Sequence, residues 1–339
     1  MKNQQIVFTK VNTAELLEIP YQAPAAGEVT VRTELGTISP GTERANITGD
    51  PNVRGSAPSS VDFPRTVGYS STGVVVEIGE GVTSVQVGDR VVVYWGKHKR
   101  FNTVPEGNVV KLEDERVSPE AAAIAFIATF PLAAIRKTHL EIGEAAIVMG
   151  LGLLGQLAVR LLRAAGAVPV IAVDPIASRR EEALAGGADY ALDPTEEGFA
   201  ARVKELTGKG ANVAIEVTGI GAGLDGVLDC MAKFGRVALL GCTRSKEFTI
   251  DYYKKVHCPG ITLIGAHTNA RPKQESHSGY FTHVDDIRTV LSLCACGRLS
   301  LDDMVREQHR PEECQEVFTR LINDREFPIV VQFDWREEQ

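Results

Sequence analysis

The hexapeptide Gly150-Leu151-Gly152-Leu153-Leu154-Gly155 constrains this chain more than any other stretch, because of what flanks it. Ahead of it runs the apolar segment 145–149, and behind it the helical pattern QLAVRLLRAAG. Glycine is common in loops, but between a strand and a helix each of these three has a distinct part. The first permits the tight turn, the second lets backbone approach a pyrophosphate, and the third lets helix pack on strand. Unpaired N–H groups at the helix start then face the phosphates. Asp174 closes the next apolar run, PVIAV, 19 residues after Gly155. A carboxylate there accepts hydrogen bonds from the adenosine ribose hydroxyls and repels a 2′-phosphate, which favours NAD over NADP. Arg179 and Arg180 argue the other way, since a guanidinium near that strand end can hold a 2′-phosphate.

The rest of the pattern fits the same architecture. Apolar runs at 145–149, 169–173, 189–192, 212–217, 236–240 and 261–264 alternate with helix-compatible segments. Continuous apolar strands suit a parallel sheet covered on both faces, so a doubly wound α/β domain is expected here. Residues before about 120 differ: runs such as 29–33, 74–78 and 91–94 are β-branched and bounded by Gly, Pro or Asp, as in a compact β domain. An Ala-rich helix is expected to start at Ser118-Pro119-Glu120. Helices are expected at 284–297 and 311–323, and then a strand, PIVVQFDW, that returns to the first domain's sheet. The expected division is 1–120 with 266–339 for the β domain and 121–265 for the parallel-sheet domain.

A chain of 339 residues with 44% hydrophobic and 24% charged residues suits two globular domains. A net charge of -8 leaves no basic footprint for a nucleic acid. No apolar run reaches the roughly 20 residues of a membrane span and the start lacks a signal-peptide pattern, so no membrane partner and a cytoplasmic location are expected. The six cysteines, from Cys230 to Cys314, form no CxxC pair, and they read as small apolar side chains in a reduced protein.

Nearly the whole chain resembles the medium-chain dehydrogenase/reductase family, the alcohol dehydrogenase type. The likeness rests on PRTVGYSSTGVVVEIGEGVTSVQVGDRVVV, on GLGLLG, on DPIASRREEALAGGAD and on EVTG. It implies a GroES-like β domain beside a Rossmann domain, with the active site between them. It also places Leu153, Leu154, Thr129, Thr218 and Gly241 in the cofactor set with Gly150, Gly152, Gly155, Asp174 and Arg179. Zinc members of the family hold their metal with a Cys before G-T-D, the His of G-H-E and a third donor in the Ala-rich helix. Here these places read Ser39-Pro40-Gly41-Thr42-Glu43, Gly68-Tyr69-Ser70 and the vicinity of Ala125. None supplies a thiolate or imidazole ligand, and no Cys precedes Cys230 for the structural zinc lobe, so a metal-free protein is expected.

Without a Lewis acid, proton transfer must rest on side chains. The resemblance puts Thr42 at the substrate oxygen, Tyr69 in the place of the metal-binding His, and His98 after a strand whose end lines the cleft. Glu43 is set to orient them, and His98, the residue of the first domain whose unperturbed side chain titrates near neutrality, is the expected base. Arg44, Lys97, Arg100 and the loop from His267 through Arg271 to Ser278 make the surroundings polar, which suits a small hydroxylated substrate such as a polyol or sugar. The expected activity is a zinc-independent, NAD-dependent interconversion of a secondary alcohol and a ketone by a homodimer or homotetramer. The alternatives are an NADPH-dependent quinone or enoyl reductase and a dinucleotide-binding protein without catalysis.

Overall fold

The computed structural model describes residues 2–50, 62–243, 245 and 247–336. The chain divides into two compact units, Met1–Ile127 with Ile287–Gln339, and Ala128–Asp286. In chain order the first brings β1 (Lys2–Lys10), β2 (Thr13–Pro20), β3 (Glu28–Thr37), α1 (Pro40–Ile47), β4 (Arg65–Thr66), β5 (Ser70–Ile78), β6 (Arg90–Tyr94), β7 (Phe101–Pro105), β8 (Val109–Lys111) and the start of α2 (Pro119–Lys137). The second follows with β9 (Ala146–Met149), α3 (Leu153–Ala164), β10 (Val170–Val173), α4 (Ala177–Ala185), β11 (Tyr190–Leu192), α5 (Phe199–Thr207), β12 (Ala211–Glu216), α6 (Gly221–Asp229), β13 (Met231–Leu239) and β14 (Thr262–Gly265). Then α7 (His283–Ala295), β15 (Val305–His309), α8 (Cys314–Asn323) and β16 (Val330–Asp334) complete the chain.

In the first unit a three-stranded sheet runs β2-β1-β4, and a larger one runs β15-β16-β3-β5-β6-β8 with β7 also on β3. The last strand does return to the first sheet: β16 pairs antiparallel with β3, Gln332 opposite Thr37. Alternating inward side chains of β3, β5 and β6 (Val29, Val31, Val75, Val91, Val93) make one core. Ile6, Phe8, Ile38, Phe318 and Phe333 make the other. The strand β15 was not expected; its sequence, VREQH, is polar because it is a half-buried edge strand on β16.

The second unit is a six-stranded parallel sheet in the order β11-β10-β9-β12-β13-β14. Every residue of β9 and β10 is buried, as strands covered on both faces require. The order reverses at β9, whose neighbours are β10 and β12, and the crevice at such a reversal is where open α/β sheets bind ligands. The unit's bounds differ from the sequence expectation at both ends. Residues 121–127 pack with the first unit, and 266–286 with the second. The latter are held there by Arg271, which donates to Asp286 and to the carbonyl of Thr129. Helix α2 is long and apolar enough to cross a membrane by composition, but 83% of its apolar window is buried inside the fold, as in a core helix. All six cysteines are free thiols, Cys230 and Cys314 buried.

Candidate active site

The nucleotide-binding half is built on the turn from β9 into α3. A Cβ at Gly155 would stand 1.9 Å from the Gly150 carbonyl oxygen, so no side chain fits where helix meets strand. At Gly152 nothing lies within 4 Å. That open flank is what a backbone approaching a pyrophosphate requires. Gly152 is also the N-cap of α3 and gives it no side-chain cap, so the first N–H groups of this 12-residue helix are left for an anion. Leu153 is buried and Leu154 half-buried in the first turn.

Asp174 lies just beyond β10, 4% exposed. Its Oδ2 accepts the Leu151 N–H at 2.8 Å and its Oδ1 the Ile176 N–H at 2.9 Å. The same carboxylate therefore shapes the glycine loop and keeps lone pairs for a ribose. Arg179 approaches it at 3.7 Å. Arg180 is turned elsewhere, its Nη1 donating to the Asp174 carbonyl and to Asp193. Thr218 bonds through its hydroxyl to Glu216, whose carboxylate also accepts the Gly219 N–H. Burial pushes the Glu216 carboxyl up in spite of these bonds. Gly241 is a packing position, since a Cβ there would stand 2.3 Å from the Gly219 nitrogen. Thr129 is fully buried, with its carbonyl bound to Arg271 and its Oγ1 3.5 Å from His283 Nδ1. Burial, reinforced by the Arg271 charge, holds His283 down at about 3. These features fit a nicotinamide dinucleotide: a glycine loop with an open flank, an uncapped helix start and an acid at the next strand end.

In the first unit the other expected site residues gather at α1 and at the starts of β5 and of the loop after β6. Ser39 is the N-cap of α1 and Glu43 its fourth residue, one place beyond the position a capping box requires. Glu43 Oε1 accepts the Ser39 N–H at 3.0 Å, while the Ser39 hydroxyl makes no cap and instead accepts a hydrogen bond from the Tyr69 phenol. A Ser cap is ordinarily worth about 1 kcal/mol, so its diversion to Tyr69 is a local sacrifice of helix stability. Thr42 sits in the same turn, half-buried, and its hydroxyl has no hydrogen-bond partner among the described residues.

His98 is not where a base exposed to substrate would be. It is 1% exposed, as is Glu43, and its Nε2 lies 3.1 Å from Glu43 Oε2 with the ring edge-on to Phe333. The room comes from Gly68 at φ +87, where a Cβ would stand 2.5 Å from the His98 nitrogen. The sequence expectation of a catalytic His98 is corrected accordingly: the pair with Glu43 draws the imidazole inside. Lys97 is half-buried and faces the same carboxylate; burial lowers its pKa, with Glu43 opposing.

Two other expected polar groups are also committed elsewhere. Arg44 donates to the Leu321 carbonyl at 2.8 Å. Arg271 is paired with Asp286 at 3.0 Å, its side chain 3% exposed. His267 and Asn269 remain exposed, linked by an Asn269 N–H to His267 Nδ1 bond. What sequence reading missed is aromatic. Trp95, 40% exposed and held at φ +58, donates its N–H to the Tyr69 carbonyl, and its ring lies 5.7 Å from Tyr69 and 5.0 Å from Phe126. The Tyr94-Trp95 pair carried that signal in the sequence, since a large ring next to a glycine at a strand end is a candidate for an exposed platform.

The zinc positions of the resemblance hold a phenol (Tyr69), the Ser39-Pro40 pair ahead of Gly41 and the buried methyl of Ala125. That donor set does not suit zinc, which takes thiolate, imidazole or carboxylate. Among the described residues no three His, Cys, Asp or Glu side chains gather as a metal site.

A GroES-like β unit and a Rossmann unit with this glycine loop define a nucleotide-dependent dehydrogenase of two domains. Residues 25–116 match the alcohol dehydrogenase GroES-like domain, and residues 154–280 the zinc-binding dehydrogenase domain. D-guloside 3-dehydrogenase of Escherichia coli (strain K12) is 27% identical over 324 residues, 89% of this chain and 91% of its own. An L-threonine 3-dehydrogenase of Thermococcus kodakarensis is 30% identical over 348 residues, 91% of each chain. In fold, an alcohol dehydrogenase from Escherichia coli CFT073 solved with NADH matches with a TM-score of 0.83 at 18% identity, over 98% of this chain and 99% of that one. The chain belongs to the alcohol dehydrogenase-like medium-chain dehydrogenase/reductase family and is an oxidoreductase of that type.

Proposed function

We propose that the protein is a zinc-independent, NAD-dependent dehydrogenase that interconverts a secondary alcohol and a ketone on a small polyol- or sugar-like substrate, acting in the cytoplasm as a homodimer or homotetramer. The observation that carries this reading is the Tyr69 phenol bound to Ser39 where zinc relatives carry a metal-binding histidine. Asp174 and the open flank at Gly152 support NAD binding. A bound NAD would take or return the hydride at its nicotinamide ring. In the reducing direction Tyr69 gives its phenolic proton to the carbonyl oxygen as the hydride reaches the carbon; in the oxidising direction the phenolate takes the hydroxyl proton back. Thr42, with its uncommitted hydroxyl, contacts the same oxygen. Lys97 and the Trp95 face favour a substrate with hydroxyls on one side and C–H groups on the other. The likeness to a D-guloside dehydrogenase points the same way.

The test is turnover of the purified protein with NAD over a panel of polyols and glycosides, with NADPH and a quinone as the contrasting assay. Tyr69→Phe is expected to lower alcohol oxidation on the order of 100-fold with NAD affinity unchanged, the usual size of general acid-base catalysis. Chelators are expected to leave turnover intact. Activity only with NADPH and quinone, or one tightly held zinc per chain, would overturn the proposal.

A further inference from the structure

Ser39 has been given no part in the chemistry so far, yet its hydroxyl is bound to the Tyr69 phenol. Its geometry is over-determined. The backbone N–H is held by Glu43 Oε1 at 3.0 Å, Glu43 is held in turn by His98 Nε2 at 3.1 and 3.2 Å to its two oxygens, and all three residues are buried. His98 is itself fixed on both sides of its backbone, its N–H on the Val67 carbonyl and its carbonyl under the Ile6 N–H. The Glu43 carboxyl group thus spans the Ser39 N–H and the His98 ring. The line therefore runs from strand β1 through His98 and Glu43 to Ser39 and ends at Tyr69.

The hydroxyl hydrogen of Ser39 has no acceptor among the described residues. Ser39 Oγ accepts from Tyr69 while the phenol is protonated. Once Tyr69 has given up its proton, the Ser39 O–H is the donor that faces the phenolate oxygen. We infer that Ser39 is a positioning residue that stabilises the Tyr69 phenolate, and that the buried Glu43–His98 pair exists to hold Ser39 in that place. This rests on Tyr69 as the proton-transfer group, the reading given above. A hydrogen bond to the ionised form favours ionisation, whichever charges lie nearby. Beside it Lys97 interacts with Glu43, and the rings of Trp95 and Phe126 pack on that of Tyr69.

The experiment reads the phenol directly, in the full chain without substrate. Ultraviolet difference titration of the protein against its Tyr69→Phe variant isolates the ionisation of Tyr69. Ser39→Ala is expected to move that ionisation up by about one pH unit, to lower turnover with NAD on the order of 10-fold and to leave NAD affinity unchanged. Ser39→Thr, which keeps the donor, is expected to restore both readouts. If Ser39→Ala does not fold, Ser39→Cys, a weaker donor of similar size, is expected to shift the ionisation in the same direction by less. An ionisation that stays where it was in whichever of these variants folds overturns the inference, whatever the turnover. Normal turnover in Tyr69→Phe instead overturns the reading of Tyr69, and that outcome is distinct because the titration needs no catalysis.

Discussion

Glu43 and His98 form a hydrogen-bonded contact of 3.1 Å at which each partner is 1% exposed. Removing one side of such a pair leaves the other charged or polar group buried without its partner, which typically costs roughly 3–5 kcal/mol. His98→Ala is therefore expected to lower stability by that order in chemical denaturation. His98→Gln, which keeps a donor, is expected to lose less. An alanine variant as stable as the parent would show that Glu43 finds solvent or another donor.

The sequence made the second unit legible because its signals are local. Six apolar runs, the first four each followed by a helix, become β9 to β14 with ends shifted by a residue or two; only β13 starts well before its expected run. The glycine loop and Asp174 stand as the spacing implied, since a turn between adjacent strand and helix is set by neighbours in the chain. The corner around Tyr69 and His98 was less legible, because its contacts join distant residues. Nothing near His98 in sequence announces Glu43, 55 positions away, or the glycine at 68 that makes room for the ring. Arg44 and Arg271 were read as substrate donors from their charge alone, and both turned out to be bound to distant partners, Leu321 and Asp286. The polar strand β15 escaped for a related reason: an edge strand needs no apolar run.

Asp174 accepts Leu151 N–H while standing at the expected ribose position, so its replacement has two consequences. Asp174→Ala is expected to weaken NAD binding by about 10- to 100-fold, because it removes the ribose acceptor and frees a loop amide. Loss of the repulsive charge, with Arg179 left 3.7 Å away, is expected to narrow the preference for NAD over NADP. Fluorescence titration with both nucleotides checks this. An unchanged ratio would place the determinant elsewhere.

His283 carries a pH dependence of known sign. Its folded pKa is depressed to about 3 by burial and then by Arg271, against 6.5 unperturbed. The folded state binds fewer protons than the unfolded one between those values. The stability from keeping this ring neutral is thus complete above about 6.5 and is lost as pH falls towards 3. The melting temperature is expected to fall through that window, and His283→Asn is expected to flatten the fall. A variant that melts along the same pH curve as the parent would assign the acid sensitivity to other groups.

The last expectation concerns assembly. Strand β14 has a partner, β13, on one side only among the described strands, and Thr262 and Leu263 on it are exposed. An unpaired edge with an exposed apolar side chain is a template for another strand. A second copy meeting it antiparallel across a two-fold axis satisfies both edges with the same residues, the geometry of an isologous dimer. In that arrangement Leu263 of one copy lies near that of the other, and a lysine there sets two like charges together as well as blunting the edge. The parent protein is expected to sediment as a dimer or tetramer at micromolar concentration, and Leu263→Lys to shift it towards the monomer with its circular dichroism unchanged. A parent chain that sediments as a monomer would refute the assembly, and an intact oligomer in Leu263→Lys would move the interface away from β14.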